Sequence, residues 1–266
     1  MNSMNGKVAI VTGGSGGIGK GVALQLAARG ARIVINGRNE ERARAVLEEV
    51  ARLGSEGCFV AGDVRSRSDM EAVAAQAVVR FGGIDIVVPS AGGHDDEARD
   101  PAVRGPFADI DLARATNFVA QALAGKLMVV QAAVAHMRKR GGGSVVFVTS
   151  EGGRTPTPGQ TAMASFSGGL IMASKVLSKE LARDRIRVNC VCVTVVRDSP
   201  SWAAAFDGEG GVSDHHRKQY EKIVAGAPLG VAAPQDIGGV VAFLASEDSA
   251  YLTGATLSPT GGLTIH

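Results

Sequence analysis

The chain is short of cysteine and tyrosine, has almost no charge imbalance, and contains no long apolar run. Three cysteines in 266 residues, Cys58, Cys190 and Cys192, suggest a reducing compartment rather than a disulfide framework. Cys190 and Cys192 alternate within an apparent strand, so they face one side and pack as small hydrophobes. No stretch approaches about 18 consecutive apolar residues, and no basic segment followed by an apolar one opens the chain. Neither a membrane span nor a secretory signal is therefore expected, and the reading is a soluble, cytoplasmic protein. With 28 Lys and Arg against 26 Asp and Glu, the net charge of +2 implies no polyanionic partner. The run Arg138-Lys139-Arg140 reads as the positive last turn of a helix, not as a nucleic-acid patch. No residues have convincing metal-ligand spacing, so no metal is expected.

What is present is hydrophobic residue in quantity, 45% of the chain, enough for one large core. Strand-like runs at Lys7–Thr12, Ala31–Asn36, Cys58–Ala61, Ile84–Val88, Ser144–Thr149 and Ile186–Val193 alternate with helical patterns, among them Ile18–Arg29, Glu40–Leu53 and Ser68–Phe81. Nearly continuous apolar strands between helices predict an α/β fold: a single-domain Rossmann fold, a doubly wound parallel sheet of about seven strands with helices on both faces. Residues 1–266 form one domain on this reading. Gly92–Pro106 reads as a polar loop, and an excursion at about 197–230, rich in glycine and carrying Pro200, Trp202 and Pro228, reads as a lid.

Thr12-Gly13-Gly14-Ser15-Gly16-Gly17-Ile18-Gly19 lies between the first strand and the first helix. Glycines there let the backbone turn tightly and approach a pyrophosphate, whose charge a helix N-terminus favours. Asn36-Gly37-Arg38-Asn39 ends the second strand with no acid before Glu40. An acid at that point would bind the 2′-hydroxyl of NAD, whereas an arginine accommodates the 2′-phosphate of NADP. The expected cofactor is therefore NADP(H) rather than NAD(H), unless Arg38 merely solvates its loop.

The glycine segment resembles the signature of the short-chain dehydrogenase/reductase family, and the likeness runs along nearly the whole chain. Gly6 to Val11 resembles the lead-in, Ile186-Arg187-Val188-Asn189 the sixth strand, and Pro234-Gln235-Asp236-Ile237, Phe243-Leu244-Ala245-Ser246 and Tyr251-Leu252-Thr253-Gly254 the C-terminal landmarks. The resemblance implies cofactor contacts at Gly13, Ser15, Gly17, Ile18 and Gly19. It adds Asp63 and Val64 near the adenine, and Ser90, Ala91, Gly92 and Val196 toward the nicotinamide. Pro89-Ser90 departs from the family's paired asparagines, and Val193-Thr194 from its Pro-Gly. It also implies a homo-oligomer, tetramer or dimer, packed through the helices of residues 108–138 and 160–183, though Thr260-Gly261-Gly262 alters one assembly segment.

Family members move a hydride between a nicotinamide and a carbonyl or alcohol, using Asn, Ser, Tyr and Lys at fixed spacings. Laid on Ser150, which survives, that spacing puts the asparagine at Ala122, the tyrosine at Met163 and the lysine at Ser167. Ala173-Ser174-Lys175 mimics the lysine motif, but an eight-residue shift of α-helix is about 12 Å. The only tyrosines are Tyr220 and Tyr251, so no active-site tyrosine is expected. A thioether has no ionisable proton. The sequence thus implies an NAD(P)(H)-binding protein with impaired or atypical hydride-transfer chemistry. An active NADP-dependent oxidoreductase using a substitute acid stands as the alternative, and a regulatory or structural partner of an active relative as another. Candidate acids are His94, with Asp95, Asp96 and Glu97 beside it; Glu151; and Asp214-His215-His216 in the lid, against the blander reading of each as solvated polar residues. The substrate is an unknown small molecule, and Trp202, Phe206 and Ala203 to Ala205 suggest only an apolar compartment for it.

Overall fold

A computed structural model describes residues 4–92, 97–207 and 212–266, the side chain of His215 excepted. Seven strands, β1 (Val8–Thr12), β2 (Arg32–Gly37), β3 (Gly57–Ala61), β4 (Ile86–Pro89), β5 (Gly143–Ser150), β6 (Ile186–Val193) and β7 (Thr256–Leu257), form one sheet in the order β3-β2-β1-β4-β5-β6-β7. Every neighbouring pair is parallel. Eight α-helices accompany it among the described residues: α1 (Gly17–Ala27), α2 (Glu40–Arg52), α3 (Arg67–Phe81), α4 (Leu112–Lys139), α5 (Thr161–Leu181), α6 (Pro200–Phe206), α7 (Asp214–Gly226) and α8 (Pro234–Ala245). The expected doubly wound sheet is the one observed.

Because side chains alternate across a strand, each buried strand feeds two cores. Val8 and Ile10 of β1 join Phe147, Val188, Met70 and Leu170 on the face covered by α3, α4 and α5. Ala9 and Val11 join Ile33, Ile35, Leu26 and Val241 on the face covered by α1, α2 and α8. Cys190 and Cys192 both lie fully buried in the first core, as their spacing predicts. Burial pushes the Cys58 thiol above its ordinary value. On the second face α1 and α8 approach through glycine. A Cβ on Gly21 would lie 2.2 Å from the Pro234 carbonyl oxygen, and one on Gly238 would lie 2.5 Å from that of Gly21.

Most helix starts are closed by their own side chains. Asn39 accepts from the Arg42 N–H, Ser66 from Asp69, Asp111 from Arg114, Ser199 from Trp202 and Ser213 from His216. The excursion after β6 is not an unstructured loop. Ser199, with Pro200 in the first turn, starts α6, and Ser213 starts α7. Among the described residues one helix, α4, is long and apolar enough to span a membrane by length and composition, a point the run-length reading overlooked. It packs instead against α3, α5 and β4, with Phe118, Val129 and Ala133 buried in the core.

Candidate functional site

The strand order turns back on itself between β1 and β4, the place where α/β sheets open a crevice at the carboxyl ends of their strands. Two ties hold its edges in register. The Gly13 N–H donates to the Asn36 carbonyl at 2.8 Å, and the Ala91 N–H to Thr12 Oγ1 at 3.1 Å. A cavity of about 900 Å³ occupies the crevice, within the size range of ligand sites. Gly13, Ser15, Gly17, Ile18 and Gly19 line it at the first turn. Gly13 has φ +68°, and a Cβ there would sit 2.8 Å from Ala91 Cα. A Cβ on Gly19 would sit 2.2 Å from the Gly13 carbonyl oxygen. The turn folds tightly enough that only hydrogen fits at these positions. Helix α1 is preceded by Gly16 at its cap position, with no side-chain cap and no acid in its first turn, leaving its amides open to an anion. This cradle fits a dinucleotide pyrophosphate.

At the end of β2, Asn36 is buried and donates through Nδ2 to the carbonyls of Val60 and Gly62. Arg38 and Arg42 line the cavity beyond it. The sequence reading named Arg38 but missed Arg42. Its signal was available in the spacing, because Asn39 as a helix cap brings the residue three further on back toward the strand end. Asp63 and Val64 line the cavity from the β3 side. The Arg65 side chain, bound to the Asp63 carboxylate, holds it at a pKa of about 2, with Arg38 adding to the effect. Ser90, Ala91, Gly92 and Val196 also line the cavity, so all the expected cofactor positions meet there.

The catalytic positions do not all meet. Ser150, Ala122 and Met163 line the cavity; Ser167 does not. Ser150 Oγ accepts from the Gly152 N–H at 3.1 Å, which starts the one-turn 3-10 helix Glu151–Gly153 and leaves the hydroxyl proton available to a ligand. Ser167 is fully buried against that turn: a Cβ on Gly153 would lie 2.8 Å from Ser167 Cβ. The position that family spacing gives the lysine is therefore buried beside the Glu151–Gly153 turn and off the cavity wall. Lys175, the decoy, donates to the Gly254 carbonyl at 3.0 Å and is absent from the cavity wall.

A different lysine is present. Lys126 lies one helical turn beyond Ala122 on α4, on the same face, and is 4% exposed. Its Nζ donates to the Pro89 and Val148 carbonyls, both at 3.0 Å. Strands β4 and β5 pair only at Ile86↔Ser144 and Val87↔Val145. Beyond that register they part, and the ammonium supplies donors that the ladder no longer does. Sequence reasoning missed Lys126, although a lone lysine within a buried apolar stripe was the visible sign.

The lid contributes Ser199, Pro200, Tyr220 and Ile223 to the wall, and the C-terminal segment Leu263 and Thr264. Tyr220 thus reaches the cavity from the lid, away from the position at Met163 that family spacing gives the tyrosine. Trp202 and Phe206 do not line it. With their rings 4.5 Å apart, they pack with Ala205, Tyr220 and Ile223 in a small core under the lid, so the apolar compartment expected from them is structural. The cavity's apolar surface comes from Phe118, Met163, Phe166, Ile223 and Leu263. Of the candidate acids, His94, Asp95 and Asp96 lie outside the described residues. His216 is buried against Tyr220, ring centroids 4.4 Å apart, and does not line the cavity. Glu151 lines it, but both carboxylate oxygens are engaged: Oε1 by Thr155 and His266, Oε2 by Ser258 at 2.6 Å. It joins the end of β5 to the C-terminal segment. Among the described residues no cluster of His, Cys, Asp and Glu is arranged for a metal.

The family described as enoyl-(acyl carrier protein) reductase matches residues 13–264. The chain is 35% identical to the 3-oxoacyl-(acyl-carrier-protein) reductase FabG of Chlamydia muridarum over 99% of its length and 100% of that protein. It is also 35% identical to human dehydrogenase/reductase SDR family member 4 over 96% of its length and 87% of the relative. Among solved structures it is similar to a putative short-chain alcohol dehydrogenase from Sinorhizobium meliloti 1021, with a TM-score of 0.85 at 28% identity, covering 98% of each chain. It is similar as well to a 7α-hydroxysteroid dehydrogenase complexed with NADH and 7-oxo glycochenodeoxycholic acid, with a TM-score of 0.83 at 25% identity, covering 98% of this chain and 95% of that one.

Proposed function

The chain belongs to the short-chain dehydrogenase/reductase family, whose members bind NAD(P)(H), and on that premise we propose that it binds NADP(H) in preference to NAD(H) over a site with impaired or atypical hydride-transfer chemistry. The observation that carries the proposal is the contrast within one cavity: an intact glycine cradle and two arginines at one end, and a methionine where the proton donor is expected at the other. Arg38 and Arg42 take the 2′-phosphate, and the open amides of α1 take the pyrophosphate. Asp63 and Val64 flank the adenine, and Ser90, Ala91, Gly92 and Val196 flank the nicotinamide half.

When bound, the nicotinamide supplies a hydride donor or acceptor. The protein's part is then to hold the carbonyl and move a proton. Ser150 donates its hydroxyl proton as a hydrogen bond to the carbonyl oxygen, and the Lys126 ammonium fixes the backbone of the strand ends on which Ser90 and Ser150 stand. Met163 delivers no proton, Ala122 has no polar group, and Ser167 is buried off the cavity wall. Positioned acid–base catalysis contributes about 10²–10⁴-fold, so its loss raises the barrier by about 3–5 kcal/mol. The protein acts in the cytoplasm as a homo-oligomer, dimer or tetramer. Exposed Leu112 on α4 and Met172 and Val176 on α5 offer apolar surface for the assembly. Titration of NADPH and NADH by nicotinamide fluorescence tests the binding half. Tighter binding of NADPH is expected, and failure of both nucleotides to bind at about millimolar concentration removes the proposal.

A second reading, an active oxidoreductase with a substitute acid, is favoured by one observation: Tyr220 lines the same cavity, with the Arg104 guanidinium 5.6 Å from its ring centroid. Under that reading Tyr220→Phe abolishes turnover while NADPH affinity stays unchanged; undiminished turnover discards it. A regulatory or structural partner of an active relative is a third reading, and stable co-purification with such a relative would support it.

A further inference from the structure

Arg104 stands in the connection between β4 and α4 and lines the cavity with Tyr220 and Phe118. Its guanidinium faces the Tyr220 ring, and its Nε is buried with no hydrogen-bond partner. Burial pushes the guanidinium pKa below its ordinary value, with Tyr220 partly offsetting the shift. Among the described residues no carboxylate pairs with it. The nearest acids in sequence and in the cavity wall are committed elsewhere: Asp100 to Arg114, Asp63 to Arg65, and Glu151 to His266. A cation withdrawn from water without a counter-ion is costly, and charges in such places are paired. Tyr220 supplies the guanidinium with one side-chain hydrogen bond, and the donors left over, Nε among them, are open to what enters the cavity.

We propose that Arg104 recognises a carboxylate on the substrate, so that the carbonyl compounds this chain accepts are oxo-acids rather than neutral ketones or aldehydes. The assignment deepens the proposed function and rests on its reading of the cavity as a nicotinamide-nucleotide site. A planar guanidinium that keeps donors beyond its bond to Tyr220 matches a carboxylate in two-pronged geometry. One arginine with no carboxylate partner among the described residues balances one negative charge, which favours a monoanion over a phosphate dianion. Lys126 adds no second anion site, because two backbone carbonyls already take its ammonium. Phe118, Met163 and Phe166 supply the apolar wall along which a short carbon chain would lie between the carboxylate and Ser150.

The test uses matched probes on the whole protein, alone and saturated with NADP⁺. Binding of 2-oxobutanoate, 3-oxobutanoate and 4-oxopentanoate, and of the methyl ester of each, is measured by ligand-observed NMR. Quenching of Trp202, the single tryptophan, is a second readout, since it packs in the same lid core as Tyr220. At least one acid is expected to bind about 10–100-fold tighter than its ester. Arg104→Met should abolish that difference, Arg104→Lys should restore part of it, and NADPH affinity should change in neither. The acid–ester comparison on the unaltered protein needs no variant, so a misfolded Arg104→Met leaves the test intact. The proposal is overturned if each acid and ester bind alike, if no acid binds up to about 20 mM, or if the preference survives in Arg104→Met. Inorganic phosphate displacing the acids at equal concentration would overturn the carboxylate assignment in favour of a general oxyanion site. Loss of NADPH binding alone would defeat the proposed function and leave the carboxylate preference standing or falling on its own result.

Discussion

Replacing Ser167 by lysine, the residue family spacing demands there, should damage the protein rather than repair it. Ser167 is 0% exposed, and the backbone of the Glu151–Gly153 turn is so close that a single Cβ on Gly153 would meet Ser167 Cβ at 2.8 Å and the Gly168 nitrogen at 2.7 Å. A lysine adds three heavy atoms and a charge at this contact. Overpacking costs about 1–3 kcal/mol, and an ammonium with no partner costs several more unless its flexible stem reaches water. A net loss of about 3–6 kcal/mol follows, which at about 2–4 °C per kcal/mol lowers the melting temperature by about 6–24 °C. Thermal unfolding followed by circular dichroism, with and without NADPH, reads this directly. An unchanged melting temperature would refute the reasoning. It would mean that the 167 side chain reaches the cavity and that the turn at Gly153 gives way easily.

Two further outcomes follow from the cofactor end. Arg38→Ala should weaken NADPH binding about tenfold or more by removing charge-assisted hydrogen bonds to the 2′-phosphate, and should leave NADH binding unchanged; equal weakening of both nucleotides would place Arg38 elsewhere. Asp63, held at about pKa 2 by Arg65 against an ordinary 3.8, is a depressed carboxylate. Its contribution is therefore present above the unfolded pKa and lost as pH falls through the folded one. Asp63 is partly exposed, so Asp63→Asn should cost no more than about 1 kcal/mol at neutral pH. The gap between the two melting curves should close between about pH 4 and pH 2, and a gap constant across that window would contradict the assigned ion pair.

The sheet and its glycine turn were legible because each rests on a local, repeated signal. The strands are short apolar runs, and the turn at Gly13 to Gly19 admits no side chain at its tightest points. The contents of the cavity wall were less legible, because they depend on which distant element comes to rest there. Tyr220 and Arg104 are far apart in sequence and meet only when α7 folds over the β4–α4 connection. Glu151 stands beside Ser150 in sequence, yet its partners Ser258 and His266 come from the C-terminal segment, which no periodicity announces. Helices α6 and α7 were obscured by the glycines and prolines around them, though their serine caps were in view. Ser167 shows the limit of spacing, since it lies buried off the cavity wall. Spacing along a helix identifies which face a residue shares, but not whether a neighbouring turn has closed over that face.

The central claim is that the cavity keeps its nucleotide cradle and lacks a proton donor at Met163. Single-turnover oxidation of bound NADPH by an oxo-acid, compared between the unaltered protein and Met163→Tyr, tests it most directly. The claim predicts a slow unaltered protein, well below a common enzymatic rate of about 10 s⁻¹, and a gain of about tenfold or more when the phenol is introduced. Turnover at an ordinary rate by the unaltered protein, with no gain from Met163→Tyr, would contradict it.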